Sequence, residues 1–253
     1  MKTPRRFGII ASILPKNLQE LVKAIAHANG ADTIEVRLDL IMPGLNGEFT
    51  NILSTSKKPT ILTMDPRVPV NKWTDATLQE RWACWEKLPK GIKALVSDKS
   101  REIFVDMGYE LIIFSAKEHR SPIFPWEKIG VSFHDFDKTP DERPLDLQLY
   151  AMRLTQSQAF IKIVTMAKGE KDLRTIQRLL KSDSDRRLRD TKDQRPLIAF
   201  PIGPFGAQGR IECLSWGSAA TYGYVPGFAP TAPGQLSIVE LRDNPTVAMA
   251  LRR

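Results

Sequence analysis

The chain has 253 residues, enough for one large domain or two small ones, and its 42% hydrophobic and 26% charged content excludes a disordered or fibrous protein. No apolar run approaches the roughly 18 residues needed to cross a bilayer, and the apolar stretch near the start is too short for a secretion signal, so a cytoplasmic protein is expected. The 37 Lys and Arg residues against 29 Asp and Glu leave a net charge of +8, which suits a nucleic acid, an anionic surface or a small acidic metabolite without choosing among them.

In chain order, short β-branched or apolar segments recur at 7–14, 33–40, 59–65, 101–107, 128–136, 159–167, 195–203 and 218–225. That is the strand count of a closed (β/α)8 barrel, expected here as one domain over residues 1–253. Between the first two strands, "NLQELVKAIAHANG" puts Leu18, Leu21, Val22 and Ile25 on one helical face, with Asn17 as cap, Glu20 three positions on, and Gly30 at the stop. "TLQERWACWEKLP" reads as a helix ended by Pro89, a long helix fills 141–156, and "EKDLRTIQRLLKS" reads as another. The connections after the second and fourth strands show no clear helical period, which leaves room for an uneven barrel there.

The densest basic run, "KSDSDRRLRD" (181–190), carries its own aspartates and reads as a solvated helix end or loop. No aromatic and basic residues interleave into a nucleic-acid platform. Cys84 and Cys213 lie far apart with no Cys/His cluster beside either. They read as reduced structural thiols, without a metal site.

Charged residues stand out in strands that face apolar surroundings on both sides. In "TIEVRLDL", Ile34, Val36, Leu38 and Leu40 take one face and Glu35, Arg37 and Asp39 the other, where unpaired charges would cost several kcal/mol each. A polar site inside the barrel mouth resolves this; a plain Glu35–Arg37 ion pair is the alternative. The same logic collects Arg67, Asp106, His134 and Lys162 near other strand ends.

Lys162, among Phe160, Ile161, Ile163 and Val164, is expected to be partly desolvated and, beside an arginine, pushed toward the neutral, nucleophilic amine that condenses with ketones. Snorkelling to water is the alternative. His134, at the end of "KIGVSFHDF", is placed as a general base or as a hydrogen-bonded structural residue. The glycine-rich "GPFGAQGR" ends in Arg210, suited to a carboxylate, and lacks the lysine of a phosphate loop.

Together, "IEVRLDL", "VSFHDF", "FIKIVTMA", "GPFGAQGR" followed by "WGSAATY", and "TAPGQLS" resemble, in order and over nearly the whole chain, the signature segments of type I 3-dehydroquinate dehydratases. The resemblance implies a (β/α)8 barrel, a homodimer without metal or cofactor, and dehydration of 3-dehydroquinate to 3-dehydroshikimate. It implies Lys162 as the imine-forming residue and His134 as the group that takes the C2 proton and returns one to the departing hydroxyl. Arg210 would hold the substrate carboxylate, Glu35, Arg37 and Arg67 the ring hydroxyls, and Thr231 and Gln235 would belong to a closing loop. The chain departs from the family at "TMDPRVPVNKW", which lacks the usual glutamate after the arginine. It also has Gly108 in the second acidic place of "VDMGYE", and Thr231 where serine is commoner. The missing glutamate keeps open a ligand sensor or scaffold without turnover, and a class I aldolase is a further lysine-imine barrel. The aldolase reading leaves "APGQ" unexplained, and turnover by the purified protein distinguishes the enzyme from the sensor.

Overall fold

The computed structural model describes residues 7–64, 75–190 and 193–252. Eight parallel strands, β1 Gly8–Ile13, β2 Thr33–Arg37, β3 Thr60–Thr63, β4 Ile103–Gly108, β5 Ile129–Asp135, β6 Ile161–Met166, β7 Leu197–Ile202 and β8 Ala220–Tyr224, form one sheet. The strand order is β7-β6-β5-β4-β3-β2-β1-β8, so successive strands from β1 through β7 pair with one another and β8 returns to β1. The seam between β7 and β8 is bridged where Ala219 N–H donates to Leu197 O (2.8 Å) and Ala199 N–H to Ser218 Oγ (3.1 Å). This is a nearly closed (β/α)8 barrel.

The helices follow from local chemistry. In α1 (Leu18–His27), Asn17 Oδ1 accepts from Glu20 N–H, as the cap pattern requires. Its buried face holds Leu21 and Ala24, while Val22 is 47% exposed and falls off the expected stripe. The connection after β2 makes a 3-10 turn (Met42–Gly44) and then α2 (Gly47–Thr55), capped by Asn46; that after β4 enters α5 (Tyr109–Lys117) directly. Helices therefore occupy both places where no period is legible. Pro89 does not end α3 (Asp75–Glu86) but caps α4 (Lys90–Ser97).

α6 spans Glu142–Arg153, and α7 (Glu170–Arg189) runs on through the mixed-charge segment. It does so because Asp183, 3% exposed, is an acceptor for Arg153 and Arg186 and ion-pairs with Arg187. The expected solvated helix end is thus partly a buried ion network. α8 (Gly206–Trp216) precedes β8, and α9 (Ile238–Asp243) and α10 (Pro245–Leu251) follow it.

An aromatic group sits inside the sheet near the strand starts. Phe7 meets Phe104 and Phe160 edge to face, with ring centroids 5.9 and 5.4 Å apart. Gly130 makes room for Phe160, whose ring lies where a side chain would begin. Above this level, toward the C-terminal ends of the strands, lie the polar side chains of the site.

Candidate active site

A cavity of about 720 Å³ opens at those ends, lined among others by Glu35, Arg37, His134, Lys162, Arg210, Thr231 and Gln235. Alternation along each strand explains the grouping: Lys162, Val164 and Met166 of β6 line it, while Ile161 and Ile163 are buried against the helices' side. Arg67 lies outside the described residues; every other site residue named from the sequence borders this one space. Asp106, singled out as a strand-end charge, adjoins it through Lys162.

Lys162 is the second residue of β6 and only 5% exposed, so it does not snorkel. Its Nζ donates to Asp106 Oδ2 at 2.7 Å and Glu35 Oε2 at 3.3 Å, and stands 4.9 Å from the ring centre of Tyr222. Burial alone would favour the neutral amine, but the charges of Asp106 and Glu35 overcome it and hold the pKa well above its ordinary value. The expected neutral lysine is therefore corrected: its close partners are carboxylates from β2 and β4 rather than an arginine. Asp106 responds in kind. Burial opposes its ionisation, yet the charges of Lys162 and His134 keep its carboxyl below the usual range.

The Glu35–Arg37 ion pair does not organise strand two. Glu35 is engaged by Lys162 and by Ser12, whose hydroxyl donates to Oε1 at 2.9 Å, while Arg37 Nε donates to Asp39 Oδ2 at 2.8 Å. The strand ends at Arg37, so Leu40 escapes the alternation and is 52% exposed.

His134 is paired in register with Val164, and Ser132 with Lys162. The imidazole thus springs from a backbone level two residues, about 6.6 Å, nearer the mouth than that of Lys162. Its ring stacks on Phe136, with centroids 5.6 Å apart and planes 12° from parallel.

Arg210, on α8, is 1% exposed and lies over the Phe200 ring at 5.3 Å. Its Nη1 donates to Gly234 O (3.0 Å), and its Nε has no hydrogen-bond partner among the described residues. Burial lowers its pKa to about 10, which leaves it charged at neutral pH.

Gly234 has φ of +68°, and a side chain there would press on Gly203 O at 2.6 Å; glycine thus lets the "TAPGQ" turn seat against the "GPFG" turn. Within this loop Thr231 N–H donates to Gln235 Oε1 (2.7 Å), and the Thr231 hydroxyl lies 3.0 Å from Ser12 Oγ. A chain of hydrogen bonds therefore runs from the loop through Ser12 to Glu35 and Lys162.

Sequence reasoning did not single out Ser12, Phe200 or Tyr222, which also line the cavity. A signal existed for Ser12, one hydroxyl in "GIIASI", and for Tyr222, at a cavity-facing position of "ATYGY". Among the described residues no group of three His, Cys, Asp or Glu side chains could hold a metal ion, and no helix is long and apolar enough to cross a membrane.

Fold and cavity together define a class, a (β/α)8 barrel with a lysine buried between carboxylates at its mouth. The family described as type I 3-dehydroquinase matches residues 9–247, and the chain belongs to that family. It is 30% identical over 237 residues to the 3-dehydroquinate dehydratase of Methanocella arvoryzae, covering 93% of this chain and 94% of that protein. With the 3-dehydroquinate dehydratase of Latilactobacillus sakei it shares 25% identity over 238 residues, covering 91% of each. The solved type I 3-dehydroquinate dehydratase of Clostridium difficile, with covalently modified comenic acid, superposes with a TM-score of 0.68 at 21% identity, covering 98% of this chain and 93% of that one, a likeness of fold.

Proposed function

We propose that the protein is a 3-dehydroquinate dehydratase acting through an imine on Lys162, with His134 as general base and then general acid. The observation that carries this is the Lys162 ammonium, 5% exposed and held between Asp106 and Glu35 in a cavity that also holds His134 and Arg210. The ammonium first passes a proton to the His134 imidazole, and the free amine adds to the ketone. The returned proton leaves with the carbinolamine oxygen as water, so overall ammonium plus ketone gives protonated imine plus water with no net change of charge. The carboxylates that stabilise the ammonium are therefore already placed for the cationic imine. His134 takes the proton from the carbon beside the imine, leaving an enamine. The enamine expels the β-hydroxyl, which leaves as water with the proton His134 returns, and a second water hydrolyses the conjugated imine to release 3-dehydroshikimate and Lys162.

Arg210 holds the substrate carboxylate, for which its buried and incompletely bonded guanidinium is suited. Glu35, Arg37 and Arg67 hold ring hydroxyls, and Thr231 and Gln235 close the loop over the ring. Membership of the family further supports a homodimer of one-domain chains in the cytoplasm, which sedimentation and a single unfolding transition would test.

Sodium borohydride added with 3-dehydroquinate should fix one covalent adduct on Lys162, seen as a mass increase. An unchanged mass, or an adduct that persists in Lys162→Ala, refutes the imine. Product absorbance from the purified protein separates the enzyme from a sensor that only binds.

A further inference from the structure

β8 brings Tyr222 to the cavity wall, 4% exposed, with its ring centre 4.9 Å from the Lys162 nitrogen. Its hydroxyl is buried and completes no hydrogen bond among the described residues. That is uncommon, because a buried phenol ordinarily finds a partner. The Glu35 carboxylate stands near enough to act on the phenol, but the two complete no hydrogen bond of full geometry, and Glu35 Oε1 accepts from Ser12 and Oε2 from Lys162. Burial, reinforced by the Glu35 charge, raises the phenol's pKa well above its ordinary value, so the group keeps its proton. It is a neutral donor and acceptor with unused capacity, fixed beside the amine.

We propose that Tyr222 is a specificity-determining residue whose hydroxyl bonds the substrate hydroxyl on the ring carbon adjoining the ketone. This rests on the dehydratase reading above. Capture of a ketone by Lys162 puts the adjoining ring carbons two bonds from Nζ and their oxygens three, within the neighbourhood of a phenol whose ring faces that nitrogen. An unpaired buried hydroxyl penalises the free protein, and a ligand hydroxyl relieves the penalty. Removing it should therefore favour the fold and weaken the ligand, the opposite of what loss of a structural hydrogen bond does.

The test compares the full chain with Tyr222→Phe by calorimetric titration with 3-dehydroshikimate, by melting without ligand, and by turnover of 3-dehydroquinate. Binding should weaken about 10-fold and KM rise with little change in kcat, while the unliganded Tm stays level or increases. Affinity within twofold of wild type, or a lower unliganded Tm, overturns the proposal, because the hydroxyl then serves the fold. The two readings fail separately. A wild type that binds the product better than Tyr222→Phe but turns nothing over refutes the dehydratase and retains the role of Tyr222. Turnover with an unaffected variant refutes Tyr222 alone, and a wild type that binds no 3-dehydroshikimate refutes both.

Discussion

Lys162 Nζ lies 2.7 Å from Asp106 Oδ2, joining β6 to β4 across the intervening strand at the centre of the barrel. Both groups are charged because each is the other's partner. Replacing Asp106 by Asn removes the nearer negative charge, leaves Glu35 alone beside a buried ammonium, and should destabilise the protein at pH 7 by about 3 kcal/mol. The sign with pH follows from the lowered carboxyl. Asp106 titrates below the ordinary 3.8 in the folded state, so its contribution is present above that value and is lost as pH falls through the lower folded pKa. Urea denaturation between pH 3 and 7 should therefore show a shallower acid loss in Asp106→Asn; parallel curves would dissociate Asp106 from the stability of the site.

Arg210 differs from Lys162 in having a carbonyl, Gly234 O, rather than a carboxylate as its hydrogen-bond acceptor. Arg210→Ala should raise KM by about 30-fold or more, since truncating one side of a buried charge pair costs roughly 2–5 kcal/mol. The variant should also lose the thermal stabilisation that a carboxylate ligand gives the wild type. Because burial lowers its pKa to about 10, ligand affinity should decline as pH rises through that value, well before an ordinary arginine would discharge. Full ligand-induced stabilisation in Arg210→Ala would contradict this.

The strands were legible because short apolar or β-branched segments such as 159–167 recur eight times along the chain, and Lys162 and His134 stood out within them. What could not be read was non-local. The charge state of Lys162 depends on Glu35 and Asp106, which lie 127 and 56 residues away in sequence. α7 continues through "KSDSDRRLRD" because Arg153, from another helix, meets Asp183. Leu40 followed the alternation on paper, but the strand had already ended at Arg37. Local pattern gives the elements; partners brought by the barrel decide charge and burial.

Cys213 is fully buried, and burial raises its thiol pKa to about 11. It should stay unmodified by iodoacetamide at pH 8 in the folded protein, while the partly exposed Cys84 is alkylated. Peptide mapping after a native pulse checks this, and prompt labelling of Cys213 would mean that α8 opens readily.

Gly130 and Phe160 give the sharpest packing prediction. A Cβ built on Gly130 would sit 2.2 Å from the Phe160 ring, which is fully buried and wedged against Phe7, so the ring cannot swing clear. Gly130→Ala should therefore destabilise the barrel by about 1–3 kcal/mol or more through overpacking. Phe160→Leu alone should also destabilise, by opening space beside Phe7. Because the two changes act on one contact in opposite senses, the double variant should be more stable than the sum of the single losses allows, with a coupling energy of about 1 kcal/mol or more. Denaturant unfolding of the four proteins measures it directly. Simple additivity would mean that the ring and the glycine do not share the space assigned to them.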